Sequence, residues 1–227
     1  MIIRQPEVLV PETELNPDKM KRIERYARVC YKSEDRMTWG EDSDFLRSIV
    51  GRGHESVIEH EKVTVLFILD RGISHELVRH RIGSFSQEST RYCNYGKDKF
   101  GREITVIEPF FFLNSAAYPL WQQACEQAEA AYFALLDAGR SPQEARSILP
   151  NSLKTEIAVT FNLREWKHFF ALRAAVPSHP QMRQVAIPLL LFFHKYFPEI
   201  FADIPYDRNF STEHMAKVTI SDAYFGV

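Results

Sequence analysis

Cysteine is scarce in this chain: Cys30, Cys93 and Cys125 are the only three among 227 residues. An odd, sparse set does not build a disulfide scaffold and fits a reducing compartment, so a cytoplasmic protein is expected. Their spacing is not that of a zinc site. No run of about 18 apolar residues occurs, so no membrane-spanning helix is predicted. The opening MIIRQPEVLV lacks the long apolar core of a signal peptide. Repeats, low-complexity tracts and Gly/Ser linkers are missing, and residues 1–227 are read as one domain. Formal net charge is only −2, which excludes a whole-molecule basic field for nucleic acid. No Gly-x-Ser-x-Gly elbow marks a serine nucleophile. No Gly-x-Gly-x-x-Gly follows a strand, which argues against a Rossmann-type site. His54 and His60 are six apart and His75 and His80 five apart, so neither pair shares a helical face, and no metal centre is expected.

What the chain does have is a local cationic run, Arg79 to Arg91, reading RHRIGSFSQESTR. Guanidinium groups bind phosphate through paired, charge-assisted hydrogen bonds, and serine hydroxyls add neutral donors. A bare Arg-His-Arg triplet is most simply a solvated basic face. Ser84, Ser86 and Ser89 threaded through this run point instead to a phosphorylated ligand. A nucleotide or single-stranded nucleic-acid binding module is the alternative, with Phe85, Tyr92 and Tyr95 available for stacking. A metal-dependent hydrolase using the histidines is a third.

Periodicity outlines the elements. Asn16-Pro17 starts a helix predicted to reach about Tyr31 and to bury Met20, Ile23, Ala27 and Cys30. A second helix follows Ser43 and carries Phe45, Ile49 and Val50. Lys62–Leu69, KVTVLFIL, reads as a strand covered on both faces. Residues 73–81 read as helical, leading into a serine loop, and Ile104–Ile107 as a short strand. Trp121, Ala124, Cys125, Ala128, Tyr132 and Leu135 form a helical stripe ended by Gly139. Ser141-Pro142-Gln143-Glu144 is a capping box opening a short helix that presents Arg146. Thr155–Phe161 is a strand, and Asn162 caps a helix from Leu163 to about Arg173, with Arg164, His168 and Leu172 on one face. A last helix follows His179-Pro180, with Pro188 expected to kink or restart it. The sum is an α+β fold.

The run resembles the flavin-dependent thymidylate synthase signature RHRxxSxxxxSxR, whose six fixed positions are filled by Arg79, His80, Arg81, Ser84, Ser89 and Arg91. Gly53-His54-Glu55-Ser56 with Glu59 and His60 matches upstream. Downstream, Arg146 before Leu149-Pro150, Asn162-Leu163-Arg164, His168, Leu172-Arg173, His179 and Gln181 continue the pattern, so the likeness covers roughly residues 50–195. That resemblance implies a mixed, antiparallel sheet flanked by long helices. It implies reductive methylation of dUMP to dTMP, with methylenetetrahydrofolate as carbon donor and NADPH-reduced FAD as hydride source, and no cysteine nucleophile. It implies a homotetramer with active sites at its interfaces. By position, Ser89, Thr90 and Arg91 would hold the dUMP phosphate, Glu76, Arg79, Gln87 and Glu88 would line the same nucleotide, and Arg146 would reach it from another subunit. Arg173 would act catalytically against the uracil. Ser56, Arg79, His80, Arg81, Gln87, Asn162, Leu163, Arg164 and His168 would contact FAD, with His54 and His179 near it. Glu76 and His168 depart from the pattern, where Gln and Asn respectively are frequent.

Overall fold

The computed structural model describes residues 1–37, 43–97 and 100–223. Strands β1 (Ile2–Arg4) and β2 (Glu7–Val10) precede helices α1 (Asp18–Tyr31) and α2 (Asp44–Gly51). Strand β3 (Lys62–Asp70) runs directly into α3 (Arg71–Leu77), followed by β4 (Ser84–Gln87) and β5 (Thr105–Ile107). Then come α4 (Ala117–Asp137), α5 (Pro142–Ala145), β6 (Lys154–Asn162), α6 (Leu163–Arg173), α7 (Pro180–Tyr196), α8 (Pro198–Phe201) and β7 (Lys217–Ile220). One sheet has the order β4-β6-β3-β2-β7, and β1 pairs in parallel with β5 in a second. Helices and a mixed sheet make this the α+β class that was expected. No helix among the described residues is long and apolar enough to cross a membrane.

Contacts divide the chain into two compact units. The first comprises Met1–Glu7, Phe67–Arg79 and Phe85–Ala158, and the second Val8–Leu66, His80–Ser84 and the chain from Val159 onward. The first unit is centred on Tyr95, Ile104, Val106, Cys125, Tyr132 and Leu153. Helix α4 buries only Cys125, Tyr132 and Phe133. Its predicted stripe is too wide, since Ala124 is exposed and Trp121 is half-buried. The half-buried Trp121 donates from Nε1 to Ser152 Oγ at 2.9 Å, which keeps one edge of the indole polar. Gly139 ends α4 with φ +81°, a conformation an L side chain resists. The capping box forms as written: the Ser141 backbone N–H donates to Glu144 Oε2 at 2.9 Å.

The second unit owes its core to aromatic residues on α6, α7 and α8. Trp166, Phe169, Phe170, Phe193, Phe197 and Phe201 are fully buried, in edge-to-face and stacked pairs such as Trp166–Phe170 at 5.6 Å. Each such pair adds about 0.5–1.5 kcal/mol beyond its area burial. Pro188 does not restart α7, which runs unbroken from Pro180 to Tyr196. A proline leaves the carbonyl four residues earlier without its helical donor. Here that carbonyl, on Gln184, accepts the Ala216 N–H at 2.8 Å, so the segment leading into β7 supplies the missing bond. Asn16 helps start α1 by accepting from the Asp18 N–H at 2.8 Å. Cys30, expected to be buried, is exposed. At the end of α1 the inward positions go to Glu24 and Arg28, an ion pair at 2.7 Å, with the Arg28 guanidinium 4.2 Å from the Phe45 ring.

Candidate active site

The signature run is not helical to its third residue, as the sequence reading expected. Asp70 caps α3 by accepting the Ile73 N–H at 2.9 Å, which starts the helix at Arg71 and ends it at Leu77, so Arg79–Arg81 lie beyond it. Nor do the serines form a loop: Ser84 and Ser86 lie on the exposed side of β4, an edge strand, while Phe85 and Gln87 alternate to the half-buried side. This alternation separates the motif's roles. Arg79, Arg81 and Arg91 are exposed, whereas His80 is 4% exposed.

In the first unit, Gln87 is fixed from both sides, donating to Ser74 Oγ at 2.8 Å and to Thr155 Oγ1 at 3.2 Å. Glu88 is paired with Lys154 at 2.9 Å and accepts the Tyr95 hydroxyl at 2.9 Å. Burial and the Glu88 carboxylate together push the Tyr95 hydroxyl up, so it stays a donor. Burial alone would lower the Lys154 ammonium, but Glu156 and Glu88 outweigh it and hold that group above its ordinary value. After β4 the chain turns tightly: the Tyr92 and Cys93 N–H groups donate to the Ser89 carbonyl at 3.1 and 2.8 Å. Thr90 is buried in that turn, and Arg146 Nη1 donates to its Oγ1 at 3.4 Å. Beside them is a cavity of about 440 Å³ lined by Arg71, His75, Thr90, Gln143, Arg146 and Asn151 among others. Two guanidinium groups, amides and hydroxyls with no carboxylate among the lining residues give this cavity the chemistry that suits an anion. Arg71, Gln143 and Asn151 escaped the sequence reading as ligand contacts, and His75 was weighed there only as a metal ligand, because only the fold gathers the four.

In the second unit, three polar side chains connect under the signature. His80 Nε2 accepts from Arg173 Nε at 3.1 Å, and His80 Nδ1 lies 3.0 Å from Glu165 Oε1. Because Nε2 is the acceptor, the ring is neutral with its proton on Nδ1, donated to Glu165. Burial pushes the ring's pKa down and outweighs Glu165, while Arg173 and His168 push the same way, so the neutral form is favoured. His80, Glu165 and His168 bring three ligand-type atoms within 4.8 Å of one another. In the structure both nitrogens of His80 are hydrogen-bonded, which links Glu165, His80 and Arg173 into a relay.

A cavity of about 640 Å³ is lined by Glu165 of the relay together with Glu55, Glu59, Ile82, Asn162, Arg164, Lys167 and His168 among others. Arg164 is paired with Glu59 and, at 3.6 Å, with Glu55, which also pairs with Lys167. These donors suit the phosphates and polar edge of a dinucleotide, provided the ligand displaces the two carboxylates from Arg164 and Lys167. Asn162 caps α6 through the Glu165 N–H at 2.8 Å, and Leu163 is fully buried, so its side chain lies in the core. Ser56 and His54 are exposed around the turn Glu55–His60, which Gly53 enters at φ +82°. His179 caps α7, accepting the Gln181 N–H at 3.2 Å. Most residues expected to bind the nucleotide thus belong to the first unit, and most expected to bind flavin belong to the second.

Comparison with known proteins decides the family. A family model described as thymidylate synthase complementing protein matches residues 9–199. A flavin-dependent thymidylate synthase of Geobacter sulfurreducens is 34% identical over 194 residues, 82% of each chain. The chain belongs to the flavin-dependent thymidylate synthase family. A family member from Thermococcus onnurineus is 38% identical over 148 residues, 64% of this chain and 59% of that one. The resemblance drawn from the signature is therefore borne out. Among solved structures, the UMP/dUMP methylase PolB from Streptomyces cacaoi, bound with 5-Br dUMP, superposes with TM-score 0.71 over 89% of this chain and 96% of its own. At 23% identity that likeness shows the shared fold.

Proposed function

We propose that this chain is a flavin-dependent thymidylate synthase, methylating dUMP to dTMP with methylenetetrahydrofolate as carbon donor and NADPH as reductant, residues 1–227 acting as one domain. The observation that carries the reading is the carboxylate-free, cation-lined cavity where Arg146 meets Thr90 of the signature turn. It has the chemistry a nucleotide monophosphate requires, and family membership supplies the reaction class. FAD, when bound, supplies the hydride that completes the new methyl group.

The chain's own residues bind, orient and polarise. Ser89, Thr90, Arg91 and Arg146 neutralise the dUMP phosphate, and Arg79 and Gln87 orient the nucleotide. Glu88 is held by Lys154 and Tyr95 and so keeps a fixed position beside it. Arg173 lies against the uracil, where its fixed charge stabilises the negative charge that builds on the ring as N3 ionises. Ser56, Arg81, Asn162, Arg164 and His168 address the flavin, with Lys167 as a further cation, while His80 is turned inward to Glu165 and Arg173. No cysteine takes part. The reading includes a cytoplasmic homotetramer.

Two measurements test it. The purified protein should be yellow and should convert dUMP to dTMP when given methylenetetrahydrofolate and NADPH; a colourless, inactive protein refutes the reading. Arg146→Ala should keep the flavin and weaken dUMP by about 10–150-fold, the equivalent of about 1.5–3 kcal/mol for one hydrogen bond to a charged group. Unchanged dUMP affinity, titrated by flavin absorbance, would remove this cavity from the phosphate site.

A further inference from the structure

We propose that Glu165 is a positioning residue for the reaction, orienting Arg173 through His80. The inference rests on the role given to Arg173 above. Glu165 stands at the third position of α6, where the Glu of a capping box reaches back to the cap backbone. It points inward instead, 7% exposed, and its Oε1 accepts from His80 Nδ1 at 3.0 Å. This bond keeps the imidazole proton on Nδ1 and leaves Nε2 a lone pair for Arg173 Nε, at 3.1 Å. His80 cannot swing away, because Phe161 and Phe169 pack against its ring at centroid distances of 6.0 and 5.2 Å.

An arginine side chain is long and rotamer-rich, so an unanchored guanidinium arrives at a ligand in many orientations. Binding Nε to a buried, immobile acceptor fixes the guanidinium plane that is presented to the uracil edge. Without the carboxylate the imidazole proton can move to Nε2, which then presents a hydrogen to the Arg173 N–H. The acceptor becomes a second donor and the anchor is lost. The effect on Arg173 requires no contact between Glu165 and substrate.

The test uses the full flavin-loaded enzyme and the near-isosteric variant Glu165→Gln, with Glu165→Ala beside it. The amide of Gln offers a donor as well as a weaker, neutral acceptor, so it no longer enforces the imidazole proton on Nδ1 as the carboxylate does. The Gln variant, once loaded with FAD, should keep dUMP affinity and flavin reduction by NADPH. Flavin reoxidation by dUMP and methylenetetrahydrofolate should slow roughly 10–100-fold, the usual loss when an orienting partner is removed. Combined with Arg173→Ala, it should slow the reaction no further than Arg173→Ala alone, since both remove one effect. Wild-type reoxidation in Glu165→Gln overturns the proposal, as does full additivity with Arg173→Ala. Loss of flavin or fold in both variants overturns it too, by making Glu165 a structural residue. If the wild-type protein forms no dTMP, the functional reading has failed at the control; if it does and only the Gln result is wrong, the Glu165 inference alone has failed.

Discussion

Gly83 sits inside the signature, between Arg81 and Ser84, and replacing it with alanine should be costly although the residue is exposed. Its φ is outside the left-handed range, so the backbone itself accepts an L side chain. On that ground alone Gly→Ala would stabilise by about 0.4–1 kcal/mol through the unfolded state. The added Cβ would, however, stand 2.2 and 2.3 Å from two ring carbons of Phe161 and 3.1 Å from the Thr160 carbonyl oxygen. Phe161 is 1% exposed and hemmed in by Trp166 at 4.8 Å, so the ring cannot retreat. Overpacking of this kind costs ~1–3 kcal/mol, which exceeds the entropic gain. For a chain of this size the melting temperature should fall by roughly 2–12 °C. The displaced ring also presses toward His80, 6.0 Å away, so the relay to Arg173 should be disturbed and dTMP formation slowed. Gly51→Ala, at the end of α2 with nothing within 4 Å of the new Cβ, is the control and should melt at or slightly above wild type. A Gly83→Ala protein that melts with wild type refutes the steric argument.

Arg173→Ala should retain FAD, its reduction by NADPH and most dUMP affinity, yet lose ~10²–10³ in dTMP formation; wild-type rates in both half-reactions, measured by stopped flow, would show that Arg173 is not catalytic. Burial pushes the Cys125 thiol up to about 11, so at pH 8 a maleimide should label exposed Cys30 and leave Cys125 intact in the native protein, as mass spectrometry would read out. Turnover should survive Cys30→Ser fully. His80 and His194 both have pKa values lowered by burial from the ordinary 6.5, so the unfolded chain takes up protons first on acidification. Stability is therefore present above about 6.5 and falls as pH drops below it. Melting between pH 8 and 5 should show the decline, and His194→Gln should flatten part of it; an unchanged slope would clear His194.

How much of this was legible depended on whether the signal was local. Helix α6 begins and ends where the sequence placed it, because Asn162 is a strong cap and Leu163, Trp166, Phe169 and Phe170 mark one face. The capping box at Ser141 and the Gly139 stop are equally local. Strands β1, β2, β4 and β7 were not read from the sequence, since three or four residues give little evidence of a period of two; β5, equally short, was read from its β-branched run. Strand β4 was misread as a loop because SFSQ is mostly polar; its strand character comes from pairing with β6. Pro188 was read by its local rule, and the remedy, a donor at Ala216, lies 28 positions downstream and carries no sequence mark.

The same distinction runs through the site. The six fixed residues of the signature look alike in sequence, as a row of ligand donors, but they do different physical work. Arg79, Arg81 and Arg91 are exposed and Ser84 opens an edge strand, as groups that meet a ligand must be. His80, between two exposed arginines, turns inward because Gly83 lets the chain close against Phe161. There it meets Glu165 and Arg173, 85 and 93 positions away. No local rule could have supplied Glu165, which by position alone reads as a helix-capping acid. The motif's spacing therefore encodes a turn as well as a set of donors. A substitution within it should be judged by whether the side chain faces the ligand or the relay: conservative changes at the exposed arginines should alter affinity, whereas those touching the relay should alter rate.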